Sequence, residues 1–360
     1  MKYRADKSST LSAYMQLYYQ LRKDIVNELY RFGARLPSKR LLAEEADVSV
    51  ITVQHAYQLL CDEGYIEARQ RSGYFVIYKK SDFNSIAEKT PSIAPTTDNS
   101  HTNKNMLPFS VLSRAMRKVI TEYDEKILIK SPNHGCPELR YAISSYLARS
   151  NGINARPEQI IIGSGAEYLY SLTLQLLGSE RTYALESPSY DKIKRVYSLG
   201  GAKCDMLKLG CDGIKTDELE RTSATVLHVT PFNSFPSGVT ASASKRYEYL
   251  SWARERDGFI IEDNYDSELT VSTKNEDTLF STSENGSVIY LNTFSRTVAP
   301  SVRVGYAVLP ERLLDEFEAK LGFYSCTVPV FEQYVLAELI ENGDFERHIN
   351  RVRRLRRKNK

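Results

Sequence analysis

Gln159-Ile160-Ile161-Ile162-Gly163-Ser164-Gly165-Ala166-Glu167 sets three isoleucines against a glycine-serine-glycine turn. The apolar run is far shorter than a helix and β-branched, so it reads as a buried strand running through the turn into a helix. Working outward, Thr225–Val229, Phe259–Ile261 and Val288–Leu291 are strands of the same kind, and Leu139, Ile143 and Leu147 space a helix over Leu139–Ala148. Strands alternating with helices from 107 to 350 predict an α/β sandwich on a mainly parallel sheet. Acidic or small polar residues follow several strand ends, which is where open α/β sheets bind ligands.

Upstream the pattern changes twice. Between Lys79 and Met106, Ser, Thr, Pro and Asn dominate without periodicity, so residues 79–106 read as a flexible linker. Residues 1–78 read as a separate small domain. Tyr14, Leu17, Tyr18, Leu21, Ile25 and Leu29 fall at helical spacing over Ser12–Tyr30, with Gly33 closing that helix. A second helix starts at Leu36-Pro37-Ser38-Lys39-Arg40, with Ser38 as N-cap; a break at Ala46-Asp47-Val48 leads to Ser49, a second cap. Val50–Glu63 follows, with Val53, Tyr57 and Leu60 on one face and Gly64 at its end. Tyr65–Ile77 is a strand pair with Ser72-Gly73 at its tip. Two short helices, a tight turn and a strand pair make a winged helix-turn-helix.

Bulk properties narrow the class. The 360 residues carry a net charge of +3, with 42% hydrophobic and 26% charged residues, the balance of a soluble globular protein of two domains. No apolar run approaches the roughly 20 residues of a membrane span, and the N-terminus lacks a signal-peptide core. The five cysteines are scattered and form no Cys-x-x-Cys pair, as expected of reduced cytoplasmic thiols and not of a disulfide frame or zinc site. Charge is polarised. Residues 1–80 hold 13 Lys/Arg against 9 Asp/Glu, residues 346–360 hold 8 against 1, and the middle is net acidic. A basic front on an acidic body suits a nucleic-acid-binding head.

The head resembles the GntR family of bacterial transcription regulators over residues 12–77. The shared features are the Leu36-Pro37-Ser38-x-Arg40 helix start, Val48-Ser49-x-x-Thr52-Val53, Glu63-Gly64-Tyr65 and the Arg69-x-x-x-Gly73-x-Phe75-Val76 wing. In that family the second helix of the motif enters the major groove of double-stranded operator DNA. The resemblance therefore implies DNA contacts for Ser38, Arg40, Thr52, Gln54, Arg69, Arg71 and Gly73. Val50 stands where the family usually has arginine; it cannot pair with guanine but can pack on a thymine methyl. Arg71 replaces a usual glycine. His55 reads equally as a DNA contact or an exposed surface residue.

Residues 107–360 resemble the fold-type I aminotransferases, and with the head they resemble the MocR subgroup of GntR regulators. Landmarks run in order: Gly135-Cys136-Pro137-Glu138-Leu139-Arg140, Gly163-Ser164-Gly165-Ala166, Tyr190, Thr230 to Gly238, Ile261 to Glu268, and Asn292 to Tyr306. The resemblance implies a pyridoxal-phosphate (PLP) site in which Gly165, Ala166, Ser295 and Arg303 hold phosphate and Tyr190 stacks on the ring. Asp263 would pair with the pyridinium nitrogen and Tyr265 would approach O3′. Two departures stand out. Arg296 occupies the place of the lysine that forms an imine with the cofactor aldehyde, and a guanidinium has no comparable nucleophile. The sequence also reaches Lys360 inside a basic helix, so the small C-terminal domain of about a hundred residues implied by the resemblance is expected to be absent.

The sequence thus predicts a DNA-binding transcription regulator with an aminotransferase-like domain that is not an enzyme. No catalytic residue and no metal site are expected, PLP binds non-covalently or not at all, and a small molecule is the expected effector. A cytoplasmic homodimer away from membranes is expected, since paired half-sites want two heads. The rivals are a PLP-dependent aminotransferase with an accessory DNA-binding domain, and a truncated, non-functional regulator.

Overall fold

The computed structural model describes Tyr3 and residues 11–69, 72–79, 106–270, 277–284 and 286–358. Two compact units divide the chain, Met1–Asp98 and Asn99–Lys360.

In the first unit, α1 (Ala13–Val26), α2 (Lys39–Ala46) and α3 (Val50–Asp62) precede two short antiparallel strands, β1 (Ile66–Arg69) and β2 (Gly73–Val76). Leu17, Leu21 and Ile25 of α1 pack with Leu42 and Ala46 of α2 and with Val53, Tyr57 and Leu60 of α3. Ser38 Oγ accepts from Leu41 N at 3.2 Å and Ser49 Oγ from Thr52 N at 3.1 Å, so both serines cap their helices. Asp47 takes a left-handed φ of 52° and makes the tight turn between α2 and α3.

One expectation fails here. α1 ends at Val26 instead of reaching Tyr30, and Leu29 is 60% exposed. The backbone beyond is drawn to the wing: Gly33 N donates to Val76 O at 2.8 Å and Leu36 N to Tyr74 O at 2.9 Å. Helical spacing at Leu29 is overridden by these strand-like bonds.

The second unit is built on seven strands: β3 (Ile160–Gly163), β4 (Thr182–Ser187), β5 (Lys203–Lys208), β6 (Val226–Val229), β7 (Phe259–Asp263), β8 (Val288–Thr293) and β9 (Gly305–Val308). Their spatial order is β3-β9-β8-β7-β6-β4-β5. Strands β8, β7, β6, β4 and β5 are parallel, while β9 runs antiparallel to both β3 and β8. Helices cover both faces: α4 (Phe109–Tyr123), α5 (Pro137–Asn151), α6 (Ala166–Leu177), α7 (Asp191–Leu199), α8 (Thr216–Arg221), α9 (Ala243–Glu255), α10 (Leu279–Thr282), α11 (Leu314–Leu321), α12 (Val330–Glu341) and α13 (Asp344–Lys358). Alternation within β3 shows the two layers. Ile160 and Ile162 join the core with α5 and α12, and Ile161 joins the core with α6 and α7. The polar segments after β4, β6, β7 and β8 all leave from the carboxyl ends of parallel strands, which brings Tyr190, Asn233, Asp266 and Arg296 to one edge of the sheet.

Candidate functional sites

On the first unit, α2 and α3 and the strand pair present the residues singled out in the sequence. Arg40 and Gln54 are exposed, and Gln54 Oε1 accepts from Lys39 Nζ at 3.1 Å. Ser38 and Thr52 serve the caps, with Thr52 Oγ1 2.8 Å from Ser49 Oγ. Arg69 pairs with Glu67 at 2.6 Å and lies 4.5 Å over the Phe75 ring. Gly73 has φ +109°, and a Cβ there would meet Arg35 Nε at 3.2 Å, so the glycine lets the Arg35 guanidinium lie against the wing. Arg71 lies outside the described residues. His55 is exposed and packs edge-on against Tyr14 at 5.8 Å. Arg35 and Lys39 were missed in the sequence because neither matched a motif position read there, though both adjoin Leu36 to Arg40.

In the second unit the predicted residues line one rim at the sheet edge. Gly165, at φ +92°, begins α6, and a Cβ on it would meet a nitrogen of the Arg303 guanidinium at 3.1 Å. The absent side chain lets the Arg303 guanidinium lie against the start of α6, beside Ala166, and a helix start next to a guanidinium suits a small anion. Arg303 also reaches Glu167 at 2.6 Å, Glu167 reaches Lys192 at 2.6 Å, and Lys192 Nζ sits 5.8 Å from the Tyr190 ring. Tyr190 is exposed and meets Phe235 edge-on. Ser295 Oγ donates to Val302 O at 2.9 Å, which folds the loop between Arg296 and Arg303 back on itself.

Asp263 closes β7 and is 3% exposed. Its Oδ2 accepts from Tyr170 Oη and lies 3.7 Å from His228 Nε2, while Tyr197 Oη meets His228 Nδ1 at 2.7 Å. Oδ1 accepts no hydrogen bond from the described residues, so the carboxylate is held on one side and available on the other. That fits a protonated ring nitrogen. The Arg303 guanidinium beside Gly165, the exposed Tyr190 ring and the half-satisfied Asp263 are together compatible with PLP.

Arg296 behaves differently. Its guanidinium reaches Asp266 Oδ1 at 3.5 Å and stands 5.8 Å from the Tyr265 ring. Asp266 is 1% exposed and already takes Arg356 at 3.1 and 3.2 Å and Asn233 Nδ2 at 2.8 Å. Tyr265 Oη in turn donates to Asn233 O at 3.1 Å. The node gathers two arginines on one buried carboxylate, and among the described residues no primary amine joins it.

Three further buried carboxyls surround the rim. Burial pushes Glu186 up to about 8, held partly down by bonds from Ser234 Oγ and Thr230 N and raised further by Asp263. Burial pushes Glu262 up to about 7 against two bonds from the backbone of α10. Glu268 is pushed up to about 7 by the same cause, with Asn292 Nδ2 at 2.5 Å from Oε1 and Oε2 unpartnered. Among the described residues no group of His, Cys, Asp and Glu forms a metal site.

Residues 13–76 match the bacterial regulatory proteins of the gntR family, and residues 98–360 match aminotransferase class I and II. The chain belongs to the MocR subgroup of GntR regulators. It is 32% identical to the HTH-type transcriptional regulator YdeL of Bacillus subtilis (strain 168), covering 98% of this chain and 78% of that one. It is 29% identical to the probable rhizopine catabolism regulatory protein MocR of Rhizobium meliloti, covering 97% and 76%. Among solved structures, the multiple substrate aminotransferase of Thermococcus profundus superposes with a TM-score of 0.63 at 25% identity, over 68% of this chain and 64% of that one. The chain therefore spans less than two thirds of that enzyme. In this MocR-type regulator, Tyr170, His228, Asn233, Asp266 and Arg356 complete the rim without having been picked out in the sequence. Asp266 lay inside the quoted 261–268 stretch; Arg356 was visible only as one charge in a basic run.

Proposed function

We propose that this MocR-type chain grips operator DNA through its winged helix and uses its aminotransferase-like unit to bind an effector and to dimerise, without catalysing transamination. The observation that carries this reading is Arg296. At the position where the family resemblance calls for lysine, a guanidinium is turned toward Asp266, which also holds Arg356. PLP, when bound, would supply an electron-withdrawing ring and a phosphate. Gly165, Ala166, Ser295 and Arg303 would receive the phosphate, Tyr190 would cover the ring, Asp263 would take the ring nitrogen, and Tyr265 would lie near O3′. Arg296 would contribute positive charge and no covalent bond. The head would comprise residues 1–78, a linker 79–106 and the body 107–360, and two heads of a homodimer would meet paired half-sites. A cytoplasmic location is proposed from the unpaired thiols of Cys61, Cys136, Cys204, Cys211 and Cys326, and no helix among the described residues is long and apolar enough to cross a membrane.

The test uses the purified chain with PLP, borohydride reduction and peptide mass spectrometry, alongside fluorescence anisotropy on the DNA upstream of its gene. The unaltered chain should carry no cofactor label at the rim, Arg296→Lys should gain one at position 296, and PLP should change DNA affinity. Stoichiometric labelling of the unaltered chain, for example at Lys192, together with amino-acid turnover, would favour the enzyme reading instead. Loss of specific DNA binding would remove the regulator reading.

A further inference from the structure

Helix α3, Val50–Asp62, carries no lysine or arginine. Its first turn presents Val50 and Ile51, 42% and 67% exposed, and the exposed Gln54 follows one turn later. The Thr52 hydroxyl is engaged with Ser49 in the cap, and the His55 ring packs on Tyr14. Cations stand beside the helix instead of on it. Lys39 and Arg40 begin α2, Arg35 lies against Gly73, and Arg69 sits on β1.

Base edges in the major groove ask for different partners. Guanine is read best by a bidentate arginine or lysine, which α3 does not offer. The thymine C5-methyl is met by apolar side chains. Adenine N6 and N7 are met by an amide that accepts and donates at once. Lys39 Nζ takes one lone pair of Gln54 Oε1 and fixes the amide's orientation. Among the described residues the second lone pair and both amide N–H groups have no partner, and they remain for a base.

We propose that α3 reads an A·T core in each half-site, with Val50 and Ile51 on thymine methyls and Gln54 on adenine. Lys39 positions Gln54, while Arg35, Arg40 and Arg69 hold phosphates and set register without reading sequence. This rests on the DNA-binding reading above and adds the class of site.

Selection of the full chain against random duplexes should fix A·T pairs where α3 docks. Replacing a contacted thymine by deoxyuridine removes one methyl group and should weaken binding about fourfold, the effect of one buried methyl. A Val50→Ala, Ile51→Ala chain should be indifferent to that exchange. Val50→Arg should move the preference at its own position to guanine. Guanine or cytosine fixed by the unaltered chain at that position overturns the A·T readout and leaves the regulator reading standing. So does undiminished binding to deoxyuridine sites, a test that needs no variant. Selection of no duplex, even at low salt where phosphate contacts are strongest, overturns both.

Discussion

On the head, Val50, Ile51 and Arg40 stand exposed, and Gln54 keeps one side-chain partner. In the body, Asp263 holds Tyr170, Asp266 holds Arg356 and Asn233, Ser295 holds Val302, and Arg303 holds Glu167. The head's side chains await a partner from outside, and the body's rim is already cross-linked by the chain itself. A surface of the first kind has its value in recognition and little in stability. A rim of the second kind ties function to folding, because removing one member strands a buried partner.

The sharpest way to break that contrast is Asp266→Ala. Asp266 is 1% exposed and receives Arg356 and Asn233 as well as Arg296. Deleting the carboxylate leaves Arg356, itself mostly buried, without its counter-ion, at a cost of about 3 kcal/mol. Urea unfolding should show the loss in the transition of the body. A change below about 1 kcal/mol would mean that the node is loosely held.

Glu268→Gln should act in the opposite direction, with an effect of about 3 kcal/mol at pH 8. The carboxyl is raised from 4.5 to about 7 by burial, so the folded state keeps a proton that the unfolded chain has released. Its contribution is therefore full below pH 4.5 and is lost as pH climbs through 7. The amide never ionises, and its oxygen can still accept from Asn292. Thermal unfolding at pH 5 and pH 8 should show a stabilised variant at pH 8 and near equality at pH 5; equal gains at both would refute the buried-charge explanation.

On the head, Ser49→Ala removes the cap of α3 at about 1 kcal/mol, and it also frees the Thr52 hydroxyl from its bond to Ser49. Calorimetry should place the loss in the head's transition and leave the body's unchanged. A head that lost nothing would show that packing by Val53, Tyr57 and Leu60 fixes the helix without its cap.

Legibility in the sequence followed the same divide. The head's helices and turn follow from local signals, since Ser38, Ser49 and Gly64 punctuate apolar spacing of one period. Leu29 misled because the competing bonds from Gly33 and Leu36 to β2 are tertiary. In the body, four of the seven strands were plain from runs such as Ile160–Ile162, β4 and β5 were not named, and motif order singled out the residues at several strand ends. The partners of those residues come from elsewhere in the chain: Tyr170 is 93 residues from Asp263, and Arg356 is 90 from Asp266. No local pattern encodes such pairings. Antiparallel β9 was equally hidden, because a buried strand in a mixed sheet carries no mark of its direction.

Arg296→Ala should have the smallest effect on stability of these changes and the most pointed meaning. The guanidinium is 53% exposed and 3.5 Å from an Asp266 that Arg356 and Asn233 already satisfy, so removing it should cost no more than about 0.5 kcal/mol. A residue that contributes so little to folding and sits beside Tyr265 and Asp266 is free to be kept for what it binds. If it serves an anionic effector, Arg296→Ala should leave urea unfolding unchanged while reducing the effect of PLP on DNA affinity. Unfolding that shifted as far as in Asp266→Ala would instead place Arg296 among the structural members of the node, and the division between a recognising head and a self-bonded rim would then hold for every charged residue of the pocket.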